Sequence, residues 1–365
     1  MLAVAWHPGG ANSIIPVIKK LRSEDKLKVV VLAREFSKNI FDKAGIEYKE
    51  ISSYEVKDVS LESVSKILEK EHPDLLLSGT SNQNKKQREV IEQNAVLAAK
   101  MKGIPTLAVL DFWGNYWQRF SDIFTGEKFK FLPDKIAIID EFARKEMTEE
   151  GFEEEKLIIT GNPHFEYISK KIDNSKKQKS RINLPLRELV FLYAGNAFKD
   201  NKKETGYWDL DNISLIVEVL KESSVKNVSL IIKPHPRLPK ENIEEIRKYT
   251  EKFKKDQVSL IENINTYELI SISDLVIVAF STIGLEAVFS NKPVISIQPG
   301  LKEKDPSIIS KKGIIPAGYN KEDCKLIVKK ALDENYRKKI VLRSQSFKKE
   351  RNSTEKIKKL VYAMI

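Results

Sequence analysis

Residues 229–236 read SLIIKPHP, and residues 273–296 read SDLVIVAFSTIGLEAVFSNKPVIS. Each stretch contains a short run of branched apolar residues, which is typical of a buried strand, and the second continues into a helical pattern. The first run is followed by His235 and the second by Ser281 and Thr282. Because ligands of a parallel sheet bind beyond the carboxyl ends of its strands, we expect these side chains to form one phosphate-binding site.

Strand and helix patterns alternate along almost the whole chain, which predicts an α/β fold with doubly wound, Rossmann-like parallel sheets. The strands of the first half are predicted at residues 2–6, 28–33, 74–78, 106–110, 135–139 and 157–160. Those of the second half are predicted at residues 188–194, 228–233, 258–261, 275–279 and 294–297, and a final helix at residues 336–365.

The alternation is interrupted between residues 161 and 185, where prolines flank a charged segment. A chain of 365 residues is long for a single domain, so two domains are expected. We therefore predict an N-terminal domain at residues 1–165, a linker at 166–187 and a C-terminal domain at 188–343. Residues 344–365 form a separate helical segment in this scheme.

The chain carries 63 basic and 52 acidic residues, a formal net charge of +11. The two signs are interleaved, as on solvated helix faces, so nucleic acid is not an expected partner. Attraction to anionic substrates, or a peripheral contact with the inner face of a membrane, accounts for the basic excess equally well.

Cys324 is the single cysteine, which excludes an intramolecular disulfide and suits a cytoplasmic location. No apolar run approaches the roughly 18 residues of a membrane helix, and the first residues have the pattern of a strand, not of a signal peptide. A soluble protein is expected. Metal-binding patterns such as HExxH are absent from the sequence, so we predict no metal held by the protein.

Three segments resemble known families. Residues 148–163 (TEEGFEEEKLIITGNP) resemble the end of the first domain of UDP-N-acetylglucosamine 2-epimerases. Residues 233–236 (KPHP), together with residues 273–296, resemble the nucleotide-binding half of CDP-glycerol glycerophosphotransferases and capsule-type glycosyltransferases. All belong to the GT-B superfamily. The resemblance implies two Rossmann-like domains with a cleft between them, and a C-terminal helix packed back toward the first domain.

Ser281 opens a predicted helix, and the unpaired N–H groups of a helix N-terminus can bind a phosphate. Five further side chains and one glycine are also nucleotide-binding candidates. The alternative for Ser281 and Thr282 is ordinary N-capping. In similar enzymes a glutamate at the position of Glu286 accepts hydrogen bonds from a ribose; the alternative is a solvent-facing helix carboxylate. Gly284 would allow a ligand to approach. The candidates are Lys233, His235, Arg237, Thr282, Glu286 and Gly195.

His235 stands between two prolines, which fix its backbone. A rigid imidazole can donate a hydrogen bond to a diphosphate or a cytidine carbonyl, and can neutralise charge when protonated. Lys233 and Arg237 would assist. Gly195 ends a predicted strand, where a missing side chain permits close approach of a phosphate or base. A turn histidine without a ligand is the alternative.

The first half contributes three catalytic candidates. His7 begins a glycine-rich segment, residues 7–12 (HPGGAN), which lacks the G-x-G-x-x-G spacing of a dinucleotide site and faces the cleft in the GT-B plan. Asp111 opens residues 111–119 (DFWGNYWQR), whose aromatic rings would stack on sugars while the carboxylate acts as general base. The alternative is a core-packing loop with an ion-paired Asp111. Glu141, at a helix start, is the third candidate; His164 is open to a structural or a functional reading.

The favoured hypothesis is a glycosyltransferase, or glycerophosphate-type transferase, acting in surface polysaccharide or glycan biosynthesis. Its substrates would be a UDP- or CMP/CDP-linked donor and a hydroxyl acceptor, with no tightly bound cofactor. One alternative is a non-hydrolysing UDP-N-acetylglucosamine 2-epimerase, although residues 7–10 and 111–113 depart from that family. A non-catalytic nucleotide-sugar-binding protein is the other.

Overall fold

The computed structural model describes residues 1–82, 90–176, 184–196, 205–345, 347 and 352–365, with residues 173–176 described by their backbone alone. The chain divides into two compact units. Unit 1 comprises Met1–Tyr167 and Glu350–Ile365, and unit 2 comprises Ile168–Lys349. Within the described ranges, no helix combines the length and the apolar character needed to cross a bilayer.

Unit 1 is built on a parallel sheet with the strand order β3-β2-β1-β4-β5-β6-β7. Its strands are β1 (Leu2–Ala5), β2 (Val30–Ala33), β3 (Lys49–Glu50), β4 (Leu76–Ser78), β5 (Thr106–Val109), β6 (Lys135–Ile138) and β7 (Leu157–Ile159). The helices that follow them are α1 (Pro8–Ser23), α2 (Phe36–Ala44), α3 (Leu61–Glu71), α4 (Ile91–Met101), α5 (Tyr116–Phe120) and α6 (Glu141–Glu149). The next helix, α7 (Pro163–Lys176), begins in unit 1 and ends in unit 2. Short 3-10 turns occur at Ile51–Tyr54 and Glu154–Lys156.

Unit 2 has a second parallel sheet with the strand order β10-β9-β8-β11-β12-β13. Its strands are β8 (Leu189–Ala194), β9 (Val228–Lys233), β10 (Val258–Leu260), β11 (Leu275–Val278), β12 (Val294–Ile297) and β13 (Ala317–Gly318). Its helices are α8 (Asp209–Glu222), α9 (Lys240–Thr250), α10 (Thr266–Ile272), α11 (Thr282–Phe289), α12 (Ile308–Lys311), α13 (Lys321–Lys330) and α14 (Glu334–Gln345). The predicted fold class, two doubly wound parallel α/β sheets, is confirmed.

The core of unit 1 shows why both faces of its sheet are covered. Successive strand residues point to opposite faces, so Ala3 and Ala5 join one apolar cluster and Leu2 and Val4 another. The first cluster is completed by α1, α2 and the last helix, α15 (Ser353–Met364), and the second by α3 and α4. Lys358 of α15 also pairs with Glu24 at 2.7 Å, so α15 is part of unit 1.

Three predicted segments differ in the structure. Residues 8–12, interpreted as a loop, form the start of α1: Pro8 suits the first helical position because its φ is already helical and its missing N–H is not needed there. The first part of the predicted linker is helical, as α7, and residues 177–183 of the linker lie outside the described residues. The predicted final helix is two helices, α14 and α15, and Asn352 before α15 has a left-handed backbone with φ 59°.

Candidate functional site

The carboxyl ends of three neighbouring strands of unit 2 lie level with one another, because Ala194 of β8 pairs with Lys233 of β9 and with Val278 of β11. The chain leaves β8 toward β9 on one side and returns as β11 on the other, so a topological switch point lies between β8 and β11. Ligands of open α/β sheets bind at such points. The structure thus brings the segments after β8, β9 and β11, which hold the nucleotide-binding candidates, to one edge of unit 2.

At the N-terminus of α11, one residue caps the helix and the next is exposed to solvent. Ser281 is the N-cap, and its Oγ accepts a hydrogen bond from the N–H of Ile283 at 3.4 Å. Thr282 is exposed. A Cβ on Gly284 would lie 2.9 Å from Cγ2 of Val278. Gly284 therefore lets α11 pack on β11, which corrects the interpretation that this glycine makes room for a ligand.

Glu286 lies on the first turns of α11, and burial raises the pKa of its carboxyl group to about 7. The residue keeps partial exposure, and no other residue of the described part of the chain forms a hydrogen bond with its carboxyl oxygens. A carboxyl group with these properties can accept hydrogen bonds from a ligand's hydroxyl groups once it is ionised.

We expect Glu286→Gln to change how stability depends on pH. The pKa of Glu286 rises from an ordinary value near 4.5 to about 7 in the folded protein. Its contribution to stability is therefore fully present below about pH 4.5 and is lost as the pH rises through 7. The Tm of the wild type should fall relative to that of Glu286→Gln between pH 5 and pH 8. Glu241→Gln, at the exposed start of α9, is the control. A difference in Tm between wild type and Glu286→Gln that stays constant with pH would contradict the prediction.

His235 is half-buried after β9 and is held by a turn. Its Nδ1 accepts a hydrogen bond from the N–H of Arg237 at 3.1 Å, which leaves the proton of the neutral ring on Nε2. Burial, and then the charge of Arg237, lower the pKa of His235. In the free protein the ring is accordingly a neutral donor, so the hydrogen-bonding role considered for it fits the geometry better than the charge-neutralising one.

Lys233 and Gly195 contact protein groups. The Nζ of Lys233 donates to the backbone oxygens of Glu262 and of Ile264, the latter at 3.0 Å, and burial lowers its pKa. It thereby ties the end of β9 to the segment after β10. A Cβ on Gly195 would lie 2.6 Å from Oδ2 of Asp209. Gly195 makes room for this carboxylate, whereas the sequence suggested room for a phosphate or base. Arg237 is exposed.

Asp209, which the sequence did not single out, is hydrogen-bonded to residues at the end of β8. Its carboxylate accepts hydrogen bonds from the N–H of Asn196 at 3.0 Å and from the hydroxyl of Tyr193 at 2.8 Å. Burial raises its pKa to about 6. In the sequence Asp209 is one of many acids that precede a helical pattern, a signal too common to single out one residue.

Asp111 follows β5 in unit 1 and is strongly anchored. Its Oδ1 accepts hydrogen bonds from Nη1 of the buried Arg119 at 2.6 Å and from Oγ1 of Thr80 at 3.2 Å. Its Oδ2 lies 2.0 Å from where a Cβ on Gly9 would be, at the second position of α1. One carboxylate oxygen is thus bound by Arg119, and the other faces the positive end of a helix dipole.

The turn after β7 adds His164 to the surroundings of Asp111. Nδ2 of Asn162 donates to the backbone oxygen of Asp111 at 2.8 Å, and Oδ1 of Asn162 accepts from the N–H of His164 at 2.8 Å. Burial lowers the pKa of His164 to about 4, although the negative charge of Asp111 opposes this shift. The structure therefore places a neutral imidazole beside the predicted base.

Glu92 is a second acid that sequence reasoning missed. It is buried at the start of α4 and accepts hydrogen bonds from the N–H of Trp6 at 3.0 Å and of Ser81 at 2.5 Å. A Cβ on Gly79 would lie 2.6 Å from its Oε1. Burial raises the pKa of Glu92 to about 7. Glu92 joins the segments after β1 and β4, which the sequence signals only as an acid on an apolar helix.

The other unit 1 candidates have different surroundings. His7 is the exposed N-cap of α1, and its N–H donates to Oγ of Ser81 at 3.2 Å. Glu141 is largely exposed, with 73% of its side-chain surface accessible, and its Oε2 lies 3.7 Å from Nη1 of Arg144. The carboxylate buried at this position belongs to its neighbour Asp140, which caps α6.

Trp113 is packed inside unit 1, so the interpretation of this ring as a sugar platform is wrong. It is 4% exposed, stacks on Phe165 with centroids 6.0 Å apart, and donates from Nε1 to Asp140 at 3.0 Å. Trp117 is half-buried, with Nζ of Lys128 5.8 Å from its ring centroid. The core-packing alternative holds for Trp113.

Several solved structures resemble this chain over nearly its full length. UDP-GlcNAc 2-epimerase from Neisseria meningitidis, bound to UDP-GlcNAc, has 18% identity and a TM-score of 0.70, covering 100% of this chain and 98% of that one. The Methanocaldococcus jannaschii UDP-GlcNAc 2-epimerase in complex with UDP-GlcNAc and UDP has 16% identity, a TM-score of 0.57 and 99% coverage of both chains. Acinetobacter baumannii MurG has 11% identity, a TM-score of 0.62 and 99% coverage of both chains.

At these identities the likeness establishes the fold, and the predicted GT-B type is confirmed. No curated protein sequence matches the chain. The model of the CDP-Glycerol:Poly(glycerophosphate) glycerophosphotransferase family matches residues 137–362, more than half of the chain, and the protein therefore belongs to this family.

Proposed function

We propose that the protein is a transferase that moves a group from a nucleotide-activated donor to a hydroxyl acceptor in the synthesis of a surface polysaccharide or another glycan. The observation that carries the proposal is the edge of unit 2, where the segments after β8, β9 and β11 meet at a switch point. This edge lies within the residues that the family model matches. The donor's nucleotide would be a uridine or a cytidine nucleotide.

Unit 2 would bind the donor through its nucleotide. Nε2 of His235 is available as a donor to a phosphate or a base carbonyl, since Nδ1 is occupied by Arg237. The N-terminus of α11, capped by Ser281, adds a favourable dipole for a phosphate. Glu286, when ionised, would accept hydrogen bonds from the ribose. Stabilising the negative charge of the leaving nucleotide in this way would provide much of the catalysis.

Unit 1 would activate the acceptor. The acceptor oxygen attacks the transferred group, the bond to the nucleotide breaks, and the nucleotide leaves with the electron pair. Oδ2 of Asp111 would accept the hydroxyl proton, because Oδ1 is bound by Arg119 and Thr80. His164, beside Asp111 and neutral, would hydrogen-bond the acceptor. Both roles are proposals for residues that the fold holds close together.

Calorimetric titration with UDP, CDP, CMP and GDP tests the donor site. We expect nucleotides of one base to bind. His235→Ala should weaken their binding by about 1.5–3 kcal/mol, roughly 10- to 100-fold, which is the cost of losing a hydrogen bond to a charged group. Lys240→Ala removes an exposed positive charge at the start of α9 and controls for general electrostatics. Equal binding to wild type and His235→Ala, or no binding at millimolar nucleotide, would refute the proposed donor site.

A further inference from the structure

A buried carboxylate, that of Asp305, lies in the segment between β12 and α12 and accepts several hydrogen bonds. Its Oδ1 accepts from Nε2 of Gln298 and from the N–H of Ser307, both at 2.8 Å. Its Oδ2 accepts from the hydroxyl groups of Tyr319, at 2.9 Å, and of Ser310. Asp305 is only 9% exposed. Because a buried carboxylate is costly unless its oxygens are hydrogen-bonded, these donors fix the position of Asp305.

A chain of hydrogen bonds joins Asp305 to the segment from which α11 starts. Nε2 of Gln298, which donates to Asp305, also donates to Oγ of Ser296 at 3.2 Å. Oγ of Ser296 in turn donates to the backbone oxygen of Ala279 at 2.6 Å. Ala279 stands two residues before Ser281, the N-cap of α11. Gln298 and Ser296 are buried, so these bonds are shielded from water and fix the backbone that leads into α11.

A second route from Asp305 reaches α11 through packing. Ser307 caps α12, and its Oγ accepts a hydrogen bond from the N–H of Ser310 at 3.4 Å. Asp305 binds both of these residues. Ile309 lies between them, and its Cδ1 would be 3.3 Å from a Cβ on Gly284, the third residue of α11. The carboxylate that begins the hydrogen-bond chain therefore also holds the short helix that packs on the first turn of α11.

The same bonds extend to the segment after β8. Oε1 of Gln298 accepts a hydrogen bond from the hydroxyl of the buried Tyr207 at 3.0 Å. Next to Tyr207, Gly206 has φ 91°, and a Cβ on it would collide with the backbone oxygen of Gly300. The segments after β8 and β12 thus lie against each other. Asp305 is thereby connected to both sides of the switch point between β8 and β11.

We propose that Asp305 is a positioning residue of the donor site, which acts through α11 and holds the N-terminus of this helix where the donor's phosphate binds. The inference rests on the proposed function and deepens it, since it assigns the group that orients the phosphate-binding helix. The N–H groups of a helix start bind a phosphate well only when supporting residues fix their direction. Both oxygens of Asp305 are occupied by protein donors, so its effect on the nucleotide is indirect.

Calorimetric titration of Asp305→Asn tests this role with the nucleotide, among UDP, CDP, CMP and GDP, that binds the wild type. Asparagine keeps the shape of the side chain but has one acceptor oxygen in place of two. We expect binding to weaken roughly 3- to 10-fold, the usual effect of one lost hydrogen bond. Val219→Ala truncates a buried side chain near the end of α8 and controls for a general loss of stability. It should lower the Tm and leave the affinity unchanged.

Ser296→Ala separates a positioning role from a purely structural one, because it breaks the hydrogen-bond chain closer to α11. It should weaken nucleotide binding as well. Two changes on one route are not independent, so the double variant should lose less affinity than the product of the two single effects. If the single effects multiply, Asp305 does not act through this chain, and the inference is wrong. Where Asp305→Asn does not fold, unchanged affinity of Ser296→Ala refutes the inference by itself.

The remaining outcomes distinguish this inference from the proposed function. Tight nucleotide binding by a folded Asp305→Asn, equal to that of the wild type, overturns the inference alone. An equal loss of affinity in Val219→Ala and Asp305→Asn, at the same fall in Tm, also overturns it, since the loss then follows stability. No binding of any of the four nucleotides to the wild type refutes the proposed donor site itself.

Discussion

Replacement of Arg119 by leucine should lower the free energy of unfolding of unit 1 by about 3–5 kcal/mol, the usual cost of leaving a buried charge without its partner. Arg119 and Asp111 are 4% and 13% exposed and lie 2.6 Å apart. The guanidinium group also donates to the backbone oxygens of Thr80, Gly114 and Phe112. Leucine would keep the packing volume but leave the carboxylate and three carbonyl groups without this donor.

Urea denaturation followed by tryptophan fluorescence measures the loss, because Trp6, Trp113 and Trp117 belong to unit 1 and only Trp208 to unit 2. Adding Asp111→Asn to Arg119→Leu should recover part of the stability, since the buried negative charge is then removed. Lys66→Ala breaks an exposed pair with Glu62 and should cost at most about 0.5 kcal/mol. A loss of less than about 1 kcal/mol for Arg119→Leu would show that Asp111 is adequately solvated without it.

The fold class was readable from the sequence because buried parallel strands leave strong local signals. The strands Val228–Lys233 and Val294–Ile297 have the predicted bounds. The short strands β3 and β13 were missed because their two residues are ordered only by pairing with β2 and β12. The first turn of α1 was missed for a similar reason. Two consecutive glycines oppose a helix locally, and the close packing of Gly10 against Gly79, which favours it, involves a distant segment.

The candidate site was predictable only as far as topology determines it. Residues after strand ends must gather at one edge of a sheet, and this brings His235 and Ser281 to the edge of unit 2. What each glycine makes room for depends on its neighbours: Gly195 faces Asp209 and Gly284 faces Val278. A sequence cannot distinguish such a contact from room for a ligand, since both require only the absence of a Cβ.

Buried acids show the same limit. In the sequence, Glu92 and Asp209 look like ordinary acids near helix starts. In the structure they accept hydrogen bonds from backbone N–H groups of segments that are distant in the chain. His164 gains its neighbour Asp111 only when β5 and β7 take their places in the sheet. For Asp111 the sequence offered an ion-paired residue and a general base as alternatives. The geometry shows the ion pair at Oδ1, whereas Oδ2 faces Gly9 and is the oxygen that we propose as the base.

That remaining oxygen is the basis of the largest kinetic effect we expect. Asp111→Asn should reduce kcat by about 100- to 10,000-fold, the usual contribution of a general base, while donor affinity stays within about twofold because the donor would bind to unit 2. The assay uses the nucleotide donor identified by calorimetry, below the urea and thermal transitions of the variant. Asparagine keeps the shape of the side chain and an acceptor oxygen for Arg119.

Thr80→Val is the matched control for Asp111→Asn, since it removes a hydrogen bond to Oδ1 but leaves the proposed base intact. It should lower kcat by no more than about tenfold, the lower end of the range for a hydrogen bond to a charged group, because Arg119 still binds Oδ1. If Asp111→Asn and Thr80→Val lose kcat equally, Asp111 positions other groups and is not the base. The carboxylate oxygen that faces Gly9 is the proton acceptor if two results are obtained together. Asp111→Asn lowers kcat strongly while Thr80→Val does not, and Arg119→Leu, where it still folds, retains more activity than Asp111→Asn.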